Sequence, residues 1–142
     1  MRRTFATMQA PHRSHSRVSI RPRALIAAAL LAVAAVGQTT TRESVSSAGV
    51  QGNSGNGRPR ISADGRYVTF SSPSSILVVG GTNGIADIFV HDRQTGQTTR
   101  VSVDSAGVQA NAFSGRPDIS ADGRWVAFES HASNLVAGDT NG

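Results

Sequence analysis

RPRISADGRYVTFSS, residues 58–72, is the stretch that decides the fold, and it returns 58 residues later as RPDISADGRWVAFES at residues 116–130. In each copy a short run containing an apolar residue enters an Ala-Asp-Gly-Arg turn, and a second run with alternating side chains leaves it. Asp-Gly between two strand-like runs predicts a β-hairpin, because glycine adopts positive φ without steric cost and aspartate tolerates it. Two copies of one hairpin at a fixed period predict a repeat protein.

The repeat extends well beyond the hairpin. Residues 40–84 align with residues 98–142 at an offset of 58 without a gap, and 30 of the 45 pairs are identical. One period is predicted to contain four strands, at residues 59–62, 66–72, 86–92 and 97–103, with tight turns at Asp64-Gly65 and at residues 93–96. The longer connections at 73–85 and 104–116 are rich in Gly, Ser and Asn, which predicts surface loops. Because no segment after residue 37 has a helical period, the sequence predicts an all-β chain.

Four antiparallel strands per repeat, with tight turns alternating with long loops, predict a β-propeller built from four-stranded antiparallel blades. On this interpretation residues 38–142 are a partial propeller with repeats at 40–97 and 98–142. They hold one complete blade, half of a second, and a ring-closing N-terminal strand at residues 39–46. Neighbouring blades bury apolar side chains between them, and the residues expected in this inter-blade core are Ile61, Phe70, Ile88, Val90, Ile119 and Phe128.

The first 37 residues differ from the rest in charge. They hold six of the 14 arginines and none of the nine acids, which leaves eight arginines against nine acids, a formal charge of −1, in residues 38–142. The high pI of the whole chain therefore gives no support to a nucleic-acid partner. The chain has no cysteine, so stability depends on packing without disulfides.

An apolar run, ALIAAALLAVAAVG at residues 24–37, follows the basic segment. It has the length of a signal-peptide core and is shorter than the roughly 20 apolar residues that a membrane span needs. We therefore expect residues 1–37 to be a signal peptide, no membrane span after its cleavage, and a periplasmic or secreted protein. An uncleaved membrane anchor is the alternative.

Two sets of polar residues recur in both copies. Aspartate in a hairpin turn accepts backbone N–H bonds, which predicts a structural role for the turn residues Asp64, Gly65, Asp122 and Gly123. Side-chain amides on long loops are suited to hydrogen bonds with a protein or glycan ligand. The candidate binding residues on the loop face are therefore Gln51, Asn53, Gln109 and Asn111. The alternative is that these amides only keep the loops soluble and turned.

Residues suited to metal binding or catalysis are few. Residues 139–142, DTNG, begin like the oxygen-rich loop of a calcium site, and Asp87 follows Gly84 at the matching place in the first copy. In that copy, however, Gly81 replaces the leading acid, so a plain turn explains both copies. We expect no cofactor, with Ca²⁺ as the alternative. His91 and His131 have no partner at the spacing of a metal site or a triad, and we expect no catalytic or metal-binding residue.

The repeat resembles a known family. Its pattern, Pro-x-Ile-Ser-x-Asp-Gly-Arg-aromatic-Val-x-Phe followed by Asp-Ile-Phe-Val-x-Asp and Thr-Gly, is similar to the TolB-like, WD40-like β-propeller repeat of exported bacterial proteins. The resemblance covers residues 39–142. It implies a binding role, in cell-envelope assembly or as the propeller half of a larger enzyme.

These observations predict a non-catalytic binding or scaffold module for protein–protein or cell-envelope interaction. The remaining blades would be missing or supplied by self-association. The alternative is the propeller portion of a peptidase or other hydrolase whose catalytic domain lies beyond residue 142. A degenerate fragment without function is a third hypothesis, and it predicts aggregation through an unpaired strand edge at residues 124–130.

Overall fold

A computed structural model of the chain describes the backbone of residues 4–9, and residues 39–80 and 83–139 in full. The chain divides into two compact units, Met1–Pro11 with Arg42–Gly142, and His12–Thr41. Of the second unit the structure describes residues 39–41, which have no regular secondary structure. The predicted signal-peptide core at residues 24–37 lies outside the described residues.

All regular structure in the described residues is β-strand, which confirms the all-β class. Two antiparallel sheets contain it, one with the strand order β2-β3-β4-β5 and one with the order β1-β7-β6. The strands are β1 (Thr4–Gln9), β2 (Gly57–Ile61), β3 (Tyr67–Ser72), β4 (Asp87–Asp92), β5 (Gln97–Arg100), β6 (Ser114–Ile119) and β7 (Trp125–Ser130).

The first sheet has the four strands that the sequence predicts for one period, with one difference at its end. The fourth strand stops at Arg100, because the Ser102 hydroxyl accepts the N–H of Ile88 at 3.1 Å and so takes a place in the strand ladder. Residues 39–46, expected to be a ring-closing strand, form no strand. Val45 makes only an isolated bridge to Gln51, as Val103 does to Gln109.

A bulge bends the first strand of each repeat at the same place. The register shifts between Gly57 and Arg60 in β2, and at the equivalent place in β6. The arginine before proline has positive φ in both copies, 49° at Arg58 and 51° at Arg116. A residue other than glycine with positive φ is uncommon, so its recurrence marks a built-in feature of the repeat.

The apolar core forms two clusters. The first lies on one face of the first sheet, where the rings of Phe70 and Phe89 stack with centroids 5.8 Å apart. The second joins the two sheets, because side chains from the opposite face of β4 meet side chains of the second repeat. Its buried members are Ile88, Val101, Val126 and Phe128, and Val90, Ile119 and Leu135 pack against them.

Four of the six predicted core residues therefore lie between the two repeats, and Phe70 lies in the first cluster. Ile61 does not belong to either core: it is 56% exposed. Ile119 occupies the same place in the second repeat, yet it packs in the joint cluster. The difference arises because Ile119 faces the first repeat, whereas Ile61 is on the outer side of the pair.

Main-chain bonds also join the two repeats. The N–H of Ala63 donates to the carbonyl of Ala121 at 3.0 Å, and the N–H of Ser114 donates to the carbonyl of Ala86 at 2.9 Å. At the Asp122-Gly123 turn the Tyr67 ring occupies the space that a side chain on Gly123 would need. The two repeats are therefore one packed body.

The edge of β7 was expected to be unpaired, and that expectation is wrong for this chain. β1 pairs antiparallel with β7, from Thr4 opposite Ser130 to Gln9 opposite Trp125. This register matches that of β4 on β3, where Asp87 lies opposite Ser72. β1 lies within residues 1–37, which the sequence predicts to be a signal peptide.

Candidate functional site

The long connections all lie at one end of the sheets, which we call the loop end. In an antiparallel meander, connections alternate between the two ends, so the tight turns at 62–66 and 93–96 lie at the opposite end, the turn end. The segments at 42–56 and 73–86 therefore share the loop end in the first repeat, and those at 101–113 and 131–139 share it in the second. Residues 81–82 are not among the described residues.

Asparagine side chains fix these loops to each other. In the first repeat the Asn53 carboxamide accepts from the Ser74 hydroxyl at 2.8 Å and from the Ser75 N–H at 3.1 Å, and donates to the Ser75 hydroxyl at 3.1 Å. In the second repeat Asn111 accepts from the Ser133 N–H and donates to its hydroxyl, at 3.1 and 3.0 Å. Both asparagine side chains therefore form hydrogen bonds within the fold.

The two glutamines proposed for the same face, Gln51 and Gln109, differ in their contacts. Gln109 donates to a carboxylate oxygen of Asp87 at 2.7 Å, which ties its loop to β4. Gln51 is exposed. Three of the four candidate amides therefore have partners within the chain, and a ligand-binding role for the set stays a prediction.

Sequence reasoning missed the apolar character of the loop end. Nine large hydrophobic residues are exposed in the described part of the chain, and seven of them lie on the long connections. They are Val50, Ile76, Val79, Ile85, Val108, Phe113 and Val136. Val50 and Val108 hold the same repeat position and are 52% and 54% exposed. Exposed apolar side chains that concentrate on one surface are typical of interaction sites.

The turn end has the hydrogen bonds of a closed Asx-type turn in both repeats. The Asp64 carboxylate accepts the N–H of Arg66 at 3.0 Å and the Ser62 hydroxyl, whose oxygen accepts the N–H of Tyr67. Asp122 makes the equivalent bonds in the second repeat. The serine hydroxyl, followed by the backbone N–H, lowers the pKa of each carboxyl. Gly65 and Gly123 supply the positive φ, 72° and 70°.

An arginine from this turn holds the end of β4. Arg66 binds Asp92 through two parallel bonds, Nε to Oδ1 at 3.0 Å and Nη2 to Oδ2 at 2.7 Å. The same guanidinium lies over the Tyr67 ring, 4.7 Å from its centroid. This pair lowers the pKa of Asp92 to about 2. Bidentate geometry is the strong form of the arginine–carboxylate pair, so it fixes β4 to the hairpin.

Replacing Arg66 by Gln should therefore raise the pKa of Asp92 from about 2 toward the usual value near 3.9. The carboxylate form of Asp92 stabilises the fold above its unfolded-state pKa, and this stabilisation is lost as the pH falls toward 2. A carbon-detected NMR titration of the Asp92 carboxyl measures the change. Arg93→Gln is the matched control, since Arg93 binds Glu43 rather than Asp92. An unaltered Asp92 titration in R66Q would contradict the assignment.

Two polar networks lie inside the first sheet. Asp87 is 1% exposed and accepts bonds from Ser102 and Gln109 at 2.7 Å, with Arg100 Nε 3.4 Å from its Oδ2. Burial raises the pKa of Asp87, and its hydrogen bonds and Arg100 oppose that shift. The network fastens β4, the end of β5 and the following loop to one carboxylate.

The second network has the residue types of a catalytic triad in a buried place. His91 Nδ1 lies 2.8 Å from the Thr98 hydroxyl, and its Nε2 lies 3.5 Å from Glu43. Thr98 donates its hydroxyl proton to the Val45 carbonyl, and His91 and Thr98 are 6% and 5% exposed. A substrate has no access to this hydroxyl, so the cluster fixes residues 43–47 to β4 and β5.

The calcium hypothesis gains no support from the residues it rests on. Asn83 accepts the N–H of Ile85 and donates to the Ala110 carbonyl, which is a turn and loop contact. Asp87 is used in its buried network. Asn141 lies outside the described residues. Within 39–80 and 83–139, no group of three or more His, Cys, Asp or Glu side chains is arranged to hold a metal ion. His131 is exposed and meets the Phe113 ring edge-on.

The described part of the chain contains no helix long and apolar enough to cross a membrane. Comparison with family models, with curated proteins and with solved structures found no match to this chain.

Proposed function

We propose that the chain is an exported, non-catalytic module of the β-propeller type, which binds a protein or glycan of the cell envelope at its loop end. The observation that carries the proposal is the concentration of exposed apolar side chains on the loops, among them Val79 and Val136. These side chains stand beside loops that Asn53 and Asn111 hold in place. A fixed surface with apolar contact area costs little conformational entropy on binding.

The propeller architecture is supported by how the repeats meet. Each repeat begins with a bulged strand, and these two strands, β2 and β6, approach each other at Arg60 and Asp118. Sheets that stack face to face through Ile88 and Phe128 are what adjacent blades require. On this proposal residues 1–37 direct export.

The test uses a photoreactive amino acid at single positions. Placed at Val79 or Val136, it should form adducts with the partner in cells that export the protein, because these side chains are exposed at the loop end. Gln94, exposed in the 93–96 turn, is the matched control at the turn end. Adducts that form as often from Gln94 as from the loop end would contradict the proposed surface.

Substitution of the loop amides is a poorer test. Because Asn111 and Gln109 hold the loops internally, their replacement by Ala alters loop geometry as well as any contact with a ligand. The exposed valines have no such role, so Val79→Ser and Val136→Ser should reduce adduct formation at the neighbouring position without a change in melting temperature.

A further inference from the structure

Each repeat carries one tight turn of nearly the same sequence at the loop end. These two turns, SSAGV at 46–50 and DSAGV at 104–108, are called the valine turns. In both, the N–H of the first residue donates to the valine carbonyl, at 2.8 Å in the first turn and 2.9 Å in the second. The side chain of that first residue, Ser46 or Asp104, also accepts the valine N–H. The backbone that carries each valine is therefore fixed.

The two valines are equally open to solvent. Val50 is 52% exposed and Val108 is 54% exposed, and the alanine two positions before each of them is exposed as well. The turn at 104–108 has the first repeat packed before it, whereas the turn at 46–50 has the second repeat packed after it. Because the exposure is the same in these two surroundings, a neighbouring repeat on either side leaves the valine uncovered. The open valine is thus a property of the repeat itself.

The polar side chains around the valine turns are largely engaged within the chain. Four loop asparagines have hydrogen-bond partners there: Asn53, Asn83, Asn111 and Asn134. The Asp104 carboxylate accepts two N–H groups of its own turn. On the long connections only Phe113 is a Phe, Tyr or Trp residue. A glycan binds through its hydroxyls to free polar groups and through its rings to aromatic faces, so this surface suits a glycan poorly.

The loop end is also poor in charge. The connection at 73–86 has no Asp, Glu, Lys or Arg, and neither valine turn has Lys or Arg. Surfaces that bind lipid typically combine basic with aromatic side chains, and these loops have few of either. The core of a protein–protein interface, in contrast, is apolar and depleted of charged residues. The composition of the loop end therefore matches a protein partner that offers an uncharged, apolar surface.

We propose that the valine turns bind an envelope protein through an uncharged, apolar surface of that protein, and that Val50 and Val108 contact the same partner molecule. The inference rests on the proposed function and specifies its partner as a protein rather than a glycan. Because the two repeats form one packed body, the second contact adds binding free energy without a second loss of orientational freedom. Each valine then contributes a similar share of the affinity.

The first experiment identifies the class of the partner. The full chain carries at Val79 a cleavable photoreactive group that leaves a biotin label on the molecule it contacts, and it is irradiated with isolated envelopes of the cells that export it. The labelled material should be degraded by proteinase K, resist lysozyme and other glycosidases, and stay out of a chloroform–methanol extract. Gln94, exposed at the turn end, is the control position for the same group.

The second experiment tests the two valines by competition. Unlabelled full chain is added, and the concentration that halves the labelling from Val79 is measured. Val50→Ser and Val108→Ser should each raise this concentration on the order of 5-fold, and the double variant about 25-fold, because each removes one partly exposed apolar contact. Ile61→Ser is the matched control, since Ile61 is 56% exposed on β2 and should compete like wild type. Circular dichroism melting curves check that each variant is folded.

The outcomes separate this inference from the proposed function. Label in a glycan leaves the loop-end surface in place and overturns the protein partner. Label from Val79 that is no stronger than label from Gln94 rejects the proposed function together with the inference. A double variant that competes no worse than either single variant, or an I61S variant as weak as V50S, overturns the joint contact through the valine turns.

Discussion

Replacement of Phe128 by Ala is expected to lower the free energy of unfolding by about 3 to 5 kcal/mol. Phe128 is 2% exposed and belongs to the cluster that joins the two sheets, together with Val101 and with Ile88 of the first repeat. The deletion removes the apolar contact area and leaves a cavity between the sheets, and both effects add. A domain of this size has a total free energy of unfolding of roughly 5 to 15 kcal/mol, so the substitution removes a large part of its stability.

Urea denaturation followed by circular dichroism measures this loss. Phe113→Ala is the matched control, because Phe113 is 46% exposed at the loop end and its replacement should cost less than about 1 kcal/mol. A Phe128→Ala variant as stable as Phe113→Ala would mean that the two sheets are not held together by this cluster.

Replacement of Asp87 by Ala is expected to cost a similar amount, about 3 to 5 kcal/mol. The carboxylate is buried, and it accepts bonds from Ser102 and Gln109 beside the Arg100 guanidinium. Without this carboxylate, the Ser102 hydroxyl and the Gln109 amide lose their acceptor inside the fold. The negative charge next to Arg100 is lost as well. Such a change costs far more than loss of a surface pair.

The same variant has a characteristic pH dependence. Burial raises the pKa of Asp87, so the folded state holds this proton at higher pH than the unfolded state does. The stability that the residue contributes is therefore complete below the unfolded pKa, near 3.9, and declines as the pH rises through the raised folded value. The difference between wild type and Asp87→Ala should be largest in acid. A difference that grows with pH would contradict the burial of Asp87.

The parts of the fold that sequence predicts are those with a local signal. Asp-Gly at 64–65 and 122–123 marks each hairpin, because its preference for positive φ depends on residues in the turn alone. The left-handed backbone at Arg58 and Arg116 has no such signal, since arginine before proline ordinarily prefers extended backbone. It depends on the bulge in the sheet, which only the folded strands create.

The candidate site illustrates the same limit. Asn111 and Gln109 were assigned to ligand binding because polar residues recurred on a loop, but their partners, Ser133 and Asp87, are 22 residues away in the chain. Ile61 and Ile119 share one sequence context and still differ in exposure, because Ile119 packs between the two repeats and Ile61 lies outside that contact. Long-range pairing decides these cases, and the repeat pattern alone does not contain it.

The central claim is that two copies of one hairpin pack face to face as a single body. The most direct measurement is a nuclear Overhauser spectrum of the full chain with labelled methyl groups. We expect cross-peaks from the Phe128 ring to the methyl groups of Ile88, which lies in the first repeat. Cross-peaks from Phe128 to its own repeat alone, with none to Ile88, would contradict this packing.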